Sequence, residues 1–258
     1  MRIRLLFLLL ASVALAACGG QAGQQAADGA TEDLSGTVNV FAAASLTEAF
    51  EEIEAAFTEA HPGVDITLNF GPSSGLATQI TEGAPADVFA SANQTQMTVV
   101  TDAGLAQGEP RVFAQNFLEI AVEPGNPLGI TGLADLARPD VTLVLADEGV
   151  PAGDFAREAL ANAGVEVTPA SLEVDVRAVL AKVQLGEADA GIVYVTDVLA
   201  AGDEVEGVAI PPERNIAASY PIAPLTSASN PEAAQAFVDF VLSPEGQEIL
   251  VGHGFQKP

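Results

Sequence analysis

A regular alternation of short apolar runs with amphipathic segments fills the chain from residue 37 onward, and it constrains the fold more than any other feature. Runs such as VTLVL and GIVYV are almost entirely apolar, which is typical of strands covered on both faces. The pattern predicts an α/β protein with mostly parallel sheets flanked by helices. The predicted strands are 37–43, 64–70, 87–91, 117–122, 141–145, 190–195, 205–210 and 219–225, and the predicted helices are 46–60, 74–81, 94–103, 154–163, 175–185, 231–242 and 244–252.

The N-terminal segment MRIRLLFLLLASVALAAC predicts export from the cytoplasm. Two arginines precede an apolar run that ends in small residues, which indicates a signal peptide over 1–17 rather than a membrane span. The four residues that end at Cys18 resemble the lipobox of bacterial lipoproteins. The resemblance implies cleavage before Cys18 and a lipid anchor on the outer side of the cytoplasmic membrane. A secreted protein without lipid is the alternative.

Composition and net charge limit the classes of molecule that this protein can bind. Residues 18–36 contain mostly Gly, Gln, Ala and acidic residues, so this segment is predicted to be a flexible tether. The whole sequence has a formal net charge of −26, which disfavours nucleic acid and anionic lipid as partners. By itself that charge also makes an anionic ligand unexpected. Cys18 is the only cysteine, which excludes an intramolecular disulfide.

Several predicted strand–helix joints contain small or hydroxyl-bearing residues. Free N–H groups at helix N-termini favour anions, and serine and tyrosine hydroxyls add neutral donors. Ordinary structural roles are the alternative. Ser45 and Glu48 match the S-x-x-E capping box, in which the serine would serve only its own helix. The joints are FAAASLTEAF, GPSSGL, VPAGDF, EVDVRAV and GIVYVTD.

Together with GAPADVFASAN, these segments resemble the periplasmic molybdate-binding proteins of ABC importers, in the family's order and over nearly all of 37–258. The resemblance implies an oxyanion site without a cofactor, made of two serine residues, two backbone amides and a tyrosine hydroxyl. The implied ligand residues are Ser45, Ser73, Ala152, Val176 and Tyr194. Pro72 departs from the serine run of many members, and it has no N–H to donate.

The same resemblance implies a two-lobed binding protein of the type II-like class, with one lobe formed by 37–116 and 220–258 and the other by 117–219. It also implies a monomer that delivers its ligand to the membrane subunits of an ABC permease. Molybdate and tungstate are fully deprotonated dianions at neutral pH, so a site made only of donors suits them. Phosphate retains a proton that such a site leaves without an acceptor. Another tetrahedral oxyanion is the alternative ligand.

A serine hydrolase is the alternative from another functional class. Gly71 to Gly75 match G-x-S-x-G, the nucleophile elbow, with Ser73 as the nucleophile and His253 downstream. The elbow follows only two predicted strands, and no HGGG-like oxyanion loop precedes it. No phosphate-binding loop of the G-x-x-x-x-G-K-[ST] type occurs, so transport energy would come from a separate ATPase.

Overall fold

The computed structural model describes residues 34–258. The predicted signal peptide 1–17, Cys18 and the tether up to residue 33 lie outside the described residues. The tether was expected to continue to residue 36, but Gly36 already begins the first strand and donates its N–H to the Gly63 carbonyl at 2.8 Å. Within 34–258, no helix combines the length and apolar character needed to cross a membrane.

Strands and helices alternate through most of the described part of the chain. The strands are β1 Gly36–Ala43, β2 Val64–Gly71, β3 Val88–Ala90, β4 Arg111–Val122, β5 Leu143–Ala146, β6 Ser171–Glu173, β7 Ala190–Tyr194, β8 Glu206–Ala209 and β9 Ala217–Pro224. The α-helices are α1 Thr47–Ala60, α2 Ser73–Thr81, α3 Gln94–Asp102, α4 Pro151–Ala163, α5 Val176–Gln184, α6 Val195–Ala201, α7 Pro231–Leu242 and α8 Pro244–Gly252. Short 3-10 helices occupy Ala44–Leu46, Leu133–Ala137 and Gly202–Glu204.

The strands form a mixed sheet in the order β2-β1-β3-β9-β4-β7-β5-β6, with β8 also paired to β4. Pairing is parallel at both ends, where β1 joins β2 and β3, and where β5 joins β6 and β7. It is antiparallel in the middle, around β4 and β9. The predicted α/β class is confirmed, although the expectation of mostly parallel pairing holds only for the two ends.

Strand β4 is twice as long as predicted and changes partners along its length. Its first part, up to Phe117, pairs with β9, and its second part, Leu118–Val122, pairs with β7 and β8. The first part was missed because a bulge between Val112 and Ala114 breaks the two-residue period on which strand prediction depends. The division into lobes at 116/117 and 219/220 stays a prediction.

Two further elements were missed by the sequence pattern. Helix α6 follows Tyr194 with no intervening loop, and its first residues, Val195 and Thr196, are β-branched and resemble a continuing strand. Strand β6 has only three residues, and none of them is buried. Strand β6 therefore forms through its pairing with β5, and the local sequence gives no signal for it.

Helix α1 packs against α7, and the order of strands and helices places several helix N-termini at one edge of the sheet. Helix α1 buries Phe50, Ile53 and Phe57, which share one face, and both aromatic rings pack edge-on against Phe237 of α7. Helices α1, α2, α4, α5 and α6 each follow a strand, so their N-termini lie beyond the carboxyl ends of the strands, where α/β proteins bind ligands.

Candidate functional site

One pocket of about 230 Å³ of empty space, including its open mouth, lies at these helix N-termini. The structure brings all five predicted ligand residues to its lining. One side, the first wall, follows β1 and β2 and contains Ser45 and Ser73; the other, the second wall, follows β5, β6 and β7 and contains Ala152, Val176 and Tyr194. Their role as ligands stays a prediction, but their convergence on one pocket is a structural fact.

Ser45 does not cap helix α1. It lies inside the 3-10 turn Ala44–Leu46, and its buried Oγ is 2.9 Å from the hydroxyl of Tyr220, a residue of β9. Helix α1 has no side-chain cap, and Glu48, the expected partner in a capping box, instead accepts from Arg177. The capping-box alternative is therefore wrong, because the 3-10 turn moves the start of α1 beyond Ser45.

Ser73 is the first residue of α2, where Pro72 occupies the cap position without a side-chain bond. The buried Ser73 Oγ accepts the N–H of Ala92 at 3.0 Å. The serine oxygen is thereby occupied as an acceptor, which leaves its proton to donate elsewhere. Ser73 is accordingly not a cap of its own helix either.

The second wall presents the starts of two helices. In α4, Ala152 follows Pro151, and in α5, Val176 is the first residue. The first N–H groups of a helix have no acceptor within it, so both residues offer backbone donors. Helix α4 begins so close to β5 that a Cβ on Gly153 would lie 2.2 Å from the Asp147 carbonyl oxygen. Glycine at this position permits that approach.

Tyr194 ends β7 and has only 1% of its surface exposed. Its hydroxyl oxygen makes no hydrogen bond of ordinary geometry within residues 34–258, although the Tyr220 hydroxyl is close enough to interact with it. Burial raises the pKa of this hydroxyl well above its ordinary value, so it keeps its proton and can donate it. An unpaired buried hydroxyl costs stability. Because this hydroxyl belongs to a residue that lines a pocket, a bound ligand could supply the missing acceptor.

Asp197 is a buried residue beside the pocket that sequence reasoning missed. Its Oδ2 accepts the N–H of Tyr194 at 2.9 Å, and its Oδ1 lies 3.1 Å from Nε of Arg177. Burial raises the pKa of Asp197 to about 6, and the Arg177 charge opposes that rise. The sequence signal was an acidic residue in the first turn of α6, which was hidden because α6 itself was not predicted.

The lining also includes one acidic residue, Asp175, which the donor-only expectation did not anticipate. Its Oδ1 caps α5 by accepting the Ala178 N–H at 2.8 Å. Among residues 34–258, no lysine, arginine or histidine lines the pocket. In the described part of the chain, no group of three or more His, Cys, Asp and Glu residues is placed to hold a metal ion.

The residues of the proposed hydrolase are not assembled. Ser73 lines the pocket, but His253 does not, and the His253 ring instead bonds Glu52 Oε2 at 2.8 Å on the surface. Among the described residues, no general base is hydrogen-bonded to the Ser73 hydroxyl. The Ser73 Oγ instead accepts the N–H of Ala92. The G-x-S-x-G match is thus a strand–helix joint without the geometry of a nucleophile.

Known proteins resemble the chain over nearly all of the described part. The molybdate-binding protein ModA of Mycobacterium bovis is 42% identical over 244 residues, which cover 95% of this chain and 93% of that protein. ModA of Escherichia coli is 34% identical over 233 residues, 85% of this chain and 89% of that protein. The periplasmic molybdate-binding protein of Azotobacter vinelandii has a TM-score of 0.74 at 20% identity, over 86% of this chain and 99% of that one, and so confirms the predicted fold.

A family model described as bacterial extracellular solute-binding protein matches residues 38–256. This match takes in every strand–helix joint at the pocket. The chain therefore belongs to the family of bacterial extracellular solute-binding proteins.

Proposed function

We propose that this protein binds molybdate, and also tungstate, outside the cytoplasmic membrane and delivers it to the membrane subunits of an ABC permease. The observation that carries the proposal is the buried Tyr194 hydroxyl, which has no partner among the described residues and belongs to a residue that lines the pocket. A tetrahedral dianion would supply the missing acceptor. The names of the curated relatives, molybdate-binding protein ModA, point to the same ligand.

The proposed ligands are the hydroxyls of Ser45, Ser73 and Tyr194 and the backbone amides of Ala152 and Val176. All five are neutral donors, which match the acceptor-only surface of molybdate. Oriented dipoles in a small, poorly hydrated pocket act at short range, whereas the acidic surface is screened by salt over about 8–10 Å. A strongly acidic protein can therefore hold an anion at this site.

The anchor, the lobes and the assembly belong to the same proposal. Cys18 carries a lipid, the lobes are 37–116 with 220–258 and 117–219, and the protein acts as a monomer. The change of partners along β4 supports a boundary near residue 117. Replacement of Cys18 by Ala should move the protein from the membrane fraction to the soluble fraction. Equal solubility of the parent and the variant would exclude the anchor without affecting the ligand proposal.

Calorimetric titration of the purified protein with four oxyanions tests the ligand. Molybdate and tungstate should bind saturably with one ion per chain. Phosphate should bind roughly tenfold to hundredfold more weakly, because none of the five proposed ligands accepts its proton and Oδ1 of Asp175 already accepts the Ala178 N–H. Sulfate shares the charge of molybdate but is smaller, so it distinguishes fit from charge. Phosphate affinity equal to that of molybdate would contradict the donor-only site, and tighter sulfate binding would favour the alternative oxyanion.

A further inference from the structure

The Arg177 side chain connects the two walls of the pocket. Arg177 belongs to α5 on the second wall, but its Nη2 donates to Glu48 of α1 on the side of the first wall. Its Nε lies 3.3 Å from the carbonyl oxygen of Ala44, also on the first wall. On its own side, the same Nε lies 3.1 Å from Asp197 Oδ1.

Each of these contacts reaches a segment that carries a proposed ligand. Ala44 directly precedes Ser45, and Arg177 directly follows Val176. Asp197 accepts the backbone N–H of Tyr194 at 2.9 Å. One guanidinium therefore joins three of the segments that line the pocket, while it does not line the pocket itself.

The contacts of Arg177 with Asp197 and with Glu48 differ in what they stabilise. The Asp197 side chain is 0% exposed, so its charge needs the nearby cation, and this contact stays within the second wall. The Glu48 side chain is 40% exposed and that of Arg177 is 24% exposed, so the contact across the pocket can open without stranding a buried charge. A planar guanidinium can serve several acceptors at once, whereas an ammonium group lacks this fork.

We propose that Arg177 is a positioning residue that holds the two walls together around the bound ion, and that its contact with Glu48 sets how long the ion stays. The proposal rests on the proposed oxyanion function of the pocket. Without ligand, the half-exposed Arg177–Glu48 contact contributes little and opens readily, so the association rate should depend on it only weakly. Escape of the ion requires the two walls to move apart, so the dissociation rate depends on the Arg177–Glu48 contact.

The test compares Glu48→Gln with Glu51→Gln, which makes the same change at an exposed position of the same helix. Both variants keep the Arg177–Asp197 contact. Stopped-flow mixing with molybdate, followed by tyrosine emission, gives both rates, because the sequence has two tyrosines and no tryptophan. Glu48→Gln should raise the dissociation rate about three- to tenfold and leave the association rate within about twofold. Glu51→Gln should change neither rate.

Two results would overturn the proposal: equal dissociation rates in the two variants, or a Glu48→Gln effect confined to the association rate. If the parent protein itself binds no molybdate, the proposed function fails, and hydrogen exchange without ligand then decides the role of Arg177. Peptides covering 44–48 should exchange faster in Glu48→Gln than in Glu51→Gln if the contact joins the walls. Equal exchange would show that it does not.

Discussion

The two walls of the pocket present hydrogen-bond donors in different ways. On the first wall, the Ser45 and Ser73 oxygens already contact the protein, at the Tyr220 hydroxyl and the Ala92 N–H. On the second wall, the Tyr194 hydroxyl has no partner among the described residues, and Ala152 and Val176 stand at helix starts. The first wall therefore holds its hydroxyls in place before a ligand arrives, while the second wall contains a donor that only a ligand would satisfy.

This difference separates stability from affinity. A change on the first wall disturbs contacts that exist without ligand, so it should cost both stability and binding. Loss of the Tyr194 hydroxyl should cost binding alone, because an unpaired buried group contributes nothing favourable to the fold.

The largest expected effect tests the close packing of the second wall. Gly153→Ala should lower the free energy of unfolding by about 3 kcal/mol, because the added methyl group meets backbone oxygens at 2.2 and 2.4 Å. Chemical denaturation measures the change. Gly252→Ala is the matched control, because a Cβ at that helical position meets nothing within 4 Å. Equal stability of the two variants would show that α4 can move away from β5.

Asp197 should give the second wall a pH dependence in stability. Burial raises its pKa to about 6 from 3.8. A raised carboxyl pKa favours the protonated folded state, so this contribution is full below about pH 4 and is lost as the pH rises through about 6. The loss is at most about 3 kcal/mol, since one pKa unit corresponds to about 1.4 kcal/mol.

The measurement is the difference in unfolding free energy between the parent and Asp197→Asn from pH 4 to 7, which cancels the other acidic groups. The parent should lose stability relative to the variant across that range. Parallel curves would mean that Asp197 titrates near its ordinary pKa. A site made only of donors predicts molybdate affinity that is nearly flat from about pH 6.5 to 8.5. Because the pKa of Asp197 is about 6, any change in affinity is expected on the acid side of that range.

Ser73→Ala should weaken molybdate binding by about 2 kcal/mol, the typical contribution of a hydrogen bond to a charged group. It should also destabilise the ligand-free protein by about 1 kcal/mol, because the Ala92 N–H loses its acceptor. Calorimetry and denaturation measure the two changes. His253→Ala is the control for the hydrolase alternative and should leave affinity unaltered. Ester hydrolysis that both substitutions abolish would contradict the binding role.

Tyr194→Phe should weaken binding by about 2 kcal/mol while the ligand-free protein stays as stable as the parent or gains slightly. The reason is that this hydroxyl has no partner in the described residues to lose. Calorimetry and thermal unfolding of the same preparation check both parts. A loss of stability without a loss of affinity would make Tyr194 a core residue and would remove it from the site.

Tyr220→Phe should have the smallest effect on affinity, about 1 kcal/mol. Tyr220 does not line the pocket, but its hydroxyl lies 2.9 Å from Ser45 Oγ and orients that group. This contact between β9 and the 3-10 turn has no local signal in the sequence. An effect as large as that of Tyr194→Phe would mean that Ser45 depends on Tyr220 far more than one hydrogen bond implies.

Sequence reasoning reached the α/β class, most element positions and five residues that the fold brings together. The class and the element positions follow from local patterns, whereas the five residues follow from the resemblance to the periplasmic molybdate-binding proteins. It missed Asp197, the Tyr220–Ser45 contact and the three contacts of Arg177. These depend on α6, on β9 and on contacts between residues as far apart as Ala44 and Arg177, for which a single sequence has no local signal.

Anomalous X-ray diffraction from crystals grown with molybdate tests the central claim most directly. Molybdenum scatters anomalously near its absorption edge, so an anomalous difference map shows where the ion is bound. The account predicts one strong peak per chain in the pocket, with ligand oxygens at about 2.6–3.1 Å from the Tyr194 and serine hydroxyls and from the Ala152 and Val176 amides. A peak elsewhere on the molecule, or a pocket without one at saturating molybdate, would contradict it.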